Sequence, residues 1–514
     1  MSLPRHALLG LLLALAAGCR PEPAPDGITV LVEAPPDSLD DRFALTAIGQ
    51  RIAQLIAPGL LTFDDTSRPV PALAESFRAL SPTVMEFTLR PGLTFHDGTA
   101  LTSEDVKATY DSVRAKALRS PKAERYASAG EVEVVDDRTV RFHLGQPYSA
   151  LPAELTLGIV PAERAGPDSV ALQAAHPVGA GAFRFESHPD EEHLTLVPFE
   201  GYYAGPPAIP RLYFRVVRDE TTRVLELLKG RADLVNNAVS PAVLPLLRKE
   251  PGLRVLERPG TGYAYLGFNL RSGPLADERV RRAVCHLLEV KPVVEHKFHG
   301  LAVPATGMLP GTHWAYSPSG GCRYDPAEAA RLLDAAGYGD PDGPEGAPRL
   351  RLSLKVSTDR FRKSVALVLQ EQLARGGIAV EVRSLEFGTL FNDIRRGNFE
   401  MVTLKWASVI EPDMLRSVYH SKNVPTEENH WGGLNRGALR DAELDALLEE
   451  ASRVGPEERK VLYARAQEML NALLPYAPLW HESSVAVVSR RLEGFEPSAH
   501  NFFSPLAKAR KVGP

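Results

Sequence analysis

The 514-residue chain is short of several things at once. With three cysteines it cannot build a disulfide-dense scaffold, and no His stands at ligand spacing beside them to complete a zinc cage. No apolar run approaches the ~18 residues that a membrane span needs. Neither sign of charge dominates. The 59 basic residues stand against 64 acidic ones, for a net charge of −5, and the basic footprint of a nucleic-acid binder is missing. The signatures of covalent chemistry are missing too: there is no Gly-x-x-x-x-Gly-Lys-Ser/Thr loop, no His-Glu-x-x-His pair and no Gly-x-Ser-x-Gly elbow. Gly179-Ala180-Gly181 and Gly260-Thr261-Gly262 each offer half a dinucleotide fingerprint without the third Gly, and read as turn or hinge glycines. His96-Asp97-Gly98 follows a strand pattern and reads as a turn, not a catalytic dyad.

What is present begins with an export signal. Arg5 and His6 precede an eleven-residue apolar stretch, residues 7–17, which is too short to span a bilayer and right for a secretory segment. It ends Leu15-Ala16-Ala17-Gly18-Cys19, which resembles a bacterial lipobox with Ala16 where Leu is more usual. Cys19 is the expected lipidation site, and the Pro-rich stretch 20–26 the tether behind it. Cys285, on an apolar helical face, is expected as a buried thiol, and its pairing with Cys322 is left open.

Hydrophobic residues make up 44% and charged residues 24%, so the remainder is ordinary globular protein of about three domains at ~150 residues each. Strand and helix patterns alternate, which argues an α/β fold. Period-2 runs occur at Met85, Phe87 and Leu89, at Leu212, Phe214 and Val216, at Leu350, Leu352, Leu354 and Val356, and at Ile378, Val380 and Val382. A hairpin is expected where residues 132–135 and Val140, Phe142, Leu144 flank Asp136-Asp137-Arg138. Helix starts are signalled by Thr102 with Asp105, by Asp277, by Asp325-Pro326 with Glu328, and by Pro456.

Several blocks together resemble the family 5 extracellular solute-binding proteins, the oligopeptide, dipeptide and nickel receptors of ABC importers. The block from Phe87 to Val106, Phe-Thr-Leu-Arg-Pro-Gly-Leu-Thr-Phe-His-Asp-Gly-Thr-Ala-Leu-Thr-Ser-Glu-Asp-Val, is similar to that family's signature. Pro36-Asp37-Ser38-Leu39-Asp40, Pro177-Val178-Gly179-Ala180-Gly181, Gly230-Arg231-Ala232-Asp233-Leu234 and Phe268-Asn269 follow in family order. The resemblance implies a two-lobed periplasmic-binding-protein-like α/β fold with an extra subdomain inserted in the first lobe. Its expected boundaries are lobe I at 27–51, 177–258 and 484–514, the inserted subdomain at 52–176, and lobe II at 259–483, behind a signal peptide at 1–19. Asp97 and Asp105 then serve a turn and a cap, away from the ligand.

The family also places the ligand. Peptide-binding relatives carry Trp-x-x-Asp followed by an acidic residue and Pro, and the Asp pairs with the peptide's amino terminus. Here Trp406-Ala407-Ser408-Val409-Ile410-Glu411-Pro412 keeps the Trp and the Glu-Pro but lacks that Asp. Glu411 is either a substitute anchor or a helix-entry residue. The expected ligand-binding set is Ser38, Tyr263, Tyr265, Phe268, Asn269, Trp406, Glu411 and Trp431, with no catalytic residue, no metal and no cofactor. The implied function is a monomeric, non-enzymatic receptor, held at the membrane by lipid on Cys19, that hands a small-molecule or peptide ligand to ABC permease subunits. A second reading is an envelope sensor or chaperone adaptor on the same fold; a third, an envelope hydrolase, lacks any nucleophile or metal motif.

Overall fold

The computed structural model describes residues 26–318, 320–340, 342–343 and 346–513. The signal segment, Cys19 and all but the last residue of the tether lie outside the described residues.

One sheet of eleven strands runs through both lobes. From one edge it reads Ile378–Leu385, Leu350–Ser357 and Met401–Trp406, which belong to lobe II. Two long strands follow, Leu253–Phe268 and Tyr476–Ser489, and they carry the chain between the lobes. Leu234–Asn236, Ile28–Val32, Leu212–Val216, His193–Pro198 and Phe183–Asp190 complete the sheet in lobe I, with Ala302–Pro304 added on Tyr476–Ser489. Leu212, Phe214 and Val216 are buried and alternate with half-buried neighbours, as their period-2 pattern requires. Ile28–Val32, parallel to its neighbours on both sides, is buried throughout, the usual state of a central parallel strand.

A separate four-stranded antiparallel sheet, in the order Ala74–Ser81, Val84–Leu89, Thr139–His143, Glu131–Asp136, forms its own core in the segment inserted into lobe I. The expected hairpin pairs as Glu131–Asp136 with Thr139–His143. Helix Ser103–Arg114 lies on this sheet, with Tyr110 edge-on to Phe142 at 5.2 Å. Its start is the capping box of Thr102 and Asp105. Asp97 accepts from the Thr99 backbone N–H at 3.1 Å and closes a turn. The Asp325 carboxylate caps Pro326–Ala335, but Glu328 does not complete the box, because its carboxylate pairs with Arg331 instead.

Two sequence expectations need revision. Gly179 and Gly181 stand at a bend, but they do more than turn the chain. They let two backbones touch: a Cβ on Gly181 would stand 2.1 Å from the Leu55 carbonyl oxygen, and one on Gly179 2.3 Å from that of Ile56. Cys285 is buried, but not as a free thiol. It is joined to Cys322 in a disulfide that pins helix Glu278–His286 to the loop before Pro326–Ala335.

Candidate functional site

The register of the sheet decides where a ligand can sit. Leu234–Asn236 pairs with Val488 to Ala486 and so runs toward the middle of the crossing strands. Met401–Trp406 pairs with Phe268 back to Tyr263 and runs toward the same place from the other lobe. The carboxyl ends of the parallel strands therefore face each other across the point where the ladder is interrupted, between Arg258 and Gly262. Open α/β sheets take ligands outside such carboxyl ends.

A cavity of about 310 Å³ occupies this junction. Lobe I contributes Asn237 and Ser240, lobe II Asp359, Phe361, Arg362 and Lys405, and the crossing strand Trp480 and Glu482. Lys405 donates to Glu482 at 2.6 Å across the cavity wall, which neutralises both. Arg362 has no carboxylate partner among the described residues, and the buried Trp480 Nε1 has no acceptor. The walls thus present a cation without an ion pair, Arg362, an unpaired donor, and a carboxylate, Asp359, that accepts from the Arg362 backbone N–H.

Strand alternation puts Trp406 on the opposite face from Lys405. Trp406 pairs with Tyr263 in the ladder, and its ring lies 5.0 Å from the guanidinium carbon of Arg436. Tyr263 and Tyr265 share that face and are almost fully buried. Tyr265 stacks on Tyr476 at 4.1 Å, and Tyr263 lies 5.4 Å from His481. The two tyrosines are thereby packed inside lobe II, among the residues of its second core.

Behind Trp406 the chain turns through Glu411. Glu411 is ion-paired with Arg459, whose guanidinium also donates to the Ser149 carbonyl of the inserted subdomain at 3.1 Å. Ser149 in turn donates its backbone N–H to the Ser452 carbonyl at 2.8 Å and its hydroxyl to Val454, so the subdomain is strapped to lobe II. Burial pushes the Glu411 carboxyl above its ordinary value, against the pull of Arg459. His313 holds the same loop: its Nε2 lies 2.8 Å from the Ile410 carbonyl while Nδ1 accepts from the Ala315 N–H, which fixes the neutral Nε2–H tautomer. Burial brings its pKa down to about 4.

The remaining sequence candidates are spread. Ser38 and Asp40 exchange hydrogen bonds in a turn after the first strand. Phe268 is wholly buried, and the Asn269 amide donates to the carbonyls of Gly397 and Phe399 at 2.9 and 2.8 Å. Trp431 sits with φ 60°, its carbonyl accepting from Arg395 and its ring under Arg396 at 5.7 Å. The structure brings Trp406, Tyr263 and Tyr265 together on one face of lobe II and leaves Ser38 in lobe I. Sequence reasoning does not single out Arg362, Lys405, Trp480, Glu482 or Arg436. Lys405 was within reach, since a residue beside Trp406 on a strand must face the other way; a cation in an irregular loop such as Arg436 gives no signal. No group of three or more His, Cys, Asp or Glu that could hold a metal ion occurs among the described residues.

The comparisons agree with this architecture. Residues 68–425 match the family described as bacterial extracellular solute-binding proteins, family 5 Middle. The chain is 29% identical over 508 residues to the glutathione-binding protein GsiB of Salmonella typhi, covering 95% of each. It is 27% identical over 471 residues to heme-binding protein A of Haemophilus influenzae, covering 84% of this chain and 82% of that one. Among solved structures, the ABC transporter substrate-binding protein CtaP of Listeria monocytogenes superposes with a TM-score of 0.84 at 22% identity, covering 95% of this chain and 99% of that one. NikZ of Campylobacter jejuni, solved with Ni(L-His), gives 0.79 at 23%, covering 95% and 100%. The chain belongs to the family 5 extracellular solute-binding proteins, the non-catalytic substrate receptors of ABC importers.

Proposed function

We propose that this family 5 receptor is anchored by lipid on Cys19 and closes on a small peptide-like or other polar solute that carries a carboxylate, without gripping a free amino terminus. The observation that carries the reading is the Glu411–Arg459 pair. An ammonium buried between closed lobes needs an uncommitted carboxylate, and the only acidic residue in the stretch after Trp406 that could replace the family's Asp already has a cation. Arg362 supplies the opposite case, a cation lining the cavity that forms no ion pair among the described residues, although Asp359 lines the same wall. A volume of about 310 Å³ is at the small end of ligand sites, ~300–1,000 Å³, and favours a solute of a few residues over a long peptide. The relatives named for glutathione fit this class better than the one named for heme.

Closure bends the crossing strands at 258–262 and 482–484, where the boundaries 258/259 and 483/484 of lobes I and II fall. A thermal-shift screen tests the ligand class, since a solute at 100 times its Kd stabilises by about 2.7 kcal/mol. N-acetylated di- and tripeptides and glutathione should stabilise the protein, and Arg362→Gln should remove the shift. Tight binding of free peptides that is lost on N-acetylation and in Glu411→Gln would make Glu411 the anchor and overturn the reading. Cys19→Ser should release the protein from the membrane fraction; a mutant that stays bound, with no lipid label on the parent, refutes the anchor.

A further inference from the structure

The floor of the cavity is set by the smallest side chains of one strand. Leu253–Phe268 lies between Met401–Trp406 and Tyr476–Ser489, and its Ala264 pairs with Lys405 on one side and with Trp480 on the other. Residues paired across a sheet share a face, so Lys405, Ala264 and Trp480 form one row, and all three line the cavity. Gly262, two positions before Ala264 on the same face, pairs with Glu482. The Lys405 stem passes over it: a Cβ on Gly262 would stand 3.8 Å from Lys405 Cδ, and the ammonium reaches Glu482 at 2.6 Å. Long side chains on the outer strands thus rise on either side of Ala264 and Gly262, which leave the middle low.

The other face of the same strand is filled. Tyr263 and Tyr265 are each 1% exposed, and Tyr265 stacks on Tyr476 at 4.1 Å. Protein interiors leave few voids larger than a water molecule, and the tyrosine face obeys that rule. The alanine face departs from it inside the apolar core that the two lobes share.

The walls over this floor are apolar beside the charges. The Phe298 ring lies 4.9 Å from that of Trp480 and 5.1 Å from that of Phe361. Leu301 and Val365 join them from lobe II, and Leu244 from lobe I. Arg362 and Val365 stand three positions apart on helix Arg360–Arg375, so one side of that helix offers the cavity both a cation and an apolar contact.

We propose that Ala264 is a specificity-determining residue of the cleft, the seat of an apolar side chain of the solute, branched or aromatic, against the Phe298–Trp480 wall. The preferred solutes are then short N-blocked peptides that join such a side chain to the carboxylate met by Arg362. This rests on the reading that the cleft binds a carboxylate-bearing solute, and deepens it by naming what that carboxylate is attached to. A strand residue larger than Ala at position 264 would occupy the seat itself.

The test compares N-acetyl-Ala-Ala with N-acetyl-Ala-Leu, which differ by three side-chain carbons, by isothermal titration calorimetry. Each buried carbon is worth about fourfold in affinity, so the parent should bind the Leu probe at least tenfold more tightly. In Ala264→Val, which raises the floor by two methyl groups with a residue that strands favour, the ratio should fall to about one or invert. Ala264→Ser, nearly the same size and polar, should give an intermediate ratio and serves if the Val variant does not fold. N-acetyl-Ala-Leu amide, which has no carboxylate, reads the other half of the site: it should bind the parent at least tenfold more weakly than the acid. Equal affinity of the parent for the Ala and Leu acids, or a parent ratio preserved in Ala264→Val and Ala264→Ser, overturns the seat and leaves the carboxylate reading standing. Binding of the amide as tightly as the acid, or no binding of any probe, overturns the carboxylate reading and the proposal that rests on it.

Discussion

Arg459→Met is the most informative single change in this molecule. The Arg459 side chain is 6% exposed and that of Glu411 20%, so the substitution strands a carboxylate where water reaches it poorly. It also removes the bond to the Ser149 carbonyl and the contacts of the guanidinium with the Trp314 and Tyr463 rings, at 5.6 and 5.4 Å. Breaking one side of a buried pair typically costs about 3–5 kcal/mol, and the same is expected here. Glu411→Gln, which leaves an amide able to accept from Arg459, should cost less, about 1–3 kcal/mol. The double replacement Glu411→Leu with Arg459→Met removes both charges and should recover a large part of the loss. Its coupling energy is expected in the range of about 1–3 kcal/mol. Urea unfolding followed by tryptophan fluorescence measures all three, with m compared among variants to confirm a common transition. A loss below about 1 kcal/mol in Arg459→Met, or additivity within about 0.5 kcal/mol in the double variant, would refute the pairing as the state of Glu411. The argument against an ammonium-gripping glutamate would fall with it.

Two further outcomes follow from groups that face away from the cleft. His313 has a folded pKa of about 4, below the unfolded ~6.5, so the unfolded chain binds more protons between these values. Its contribution is present above about pH 6.5 and is lost as the pH falls through about 4, at a cost of order 1–3 kcal/mol; His313→Asn should flatten that part of a pH–stability profile, and an unchanged slope counts against the buried neutral ring. Reduction of Cys285–Cys322, which closes a loop of 37 residues' separation, should lower stability by about 2–4 kcal/mol. Denaturant unfolding with and without reductant reads this directly, and identical midpoints would show that the bond does not constrain the chain.

The fold was largely legible in the sequence because its signals are local. Leu212, Phe214 and Val216 declare a half-buried strand by spacing alone, and Thr102 with Asp105 declares a helix start three residues long. The tertiary signals were not. Gly179 and Gly181 look like hinge residues until the backbone at 55–57 is seen pressed against them. Cys285 and Cys322 lie 37 residues apart and meet only because the chain between them returns to helix Glu278–His286. The site was half legible for the same reason. Trp406 and Glu411 could be found by motif, but the partner of Glu411 comes from a helix 48 positions later. Arg362 is defined by the ion pair it lacks, and a missing partner cannot be read from one residue's neighbours in sequence.

The path of the two long strands has a consequence for how the chain is made. Leu234–Asn236 has Ile28–Val32 on one side and Tyr476–Ser489 on the other. A chain synthesised from its amino end completes Leu234–Asn236 about 240 positions before its second neighbour begins at Tyr476. Throughout that interval the central sheet of lobe I carries an open, apolar edge, the kind of surface on which chains pair with the wrong partner. Lobe I is therefore the first to begin folding and the last to finish. Tyr476–Ser489 pairs in both lobes, so the two cannot mature as independent units, and truncation anywhere before residue 476 should leave both unfinished.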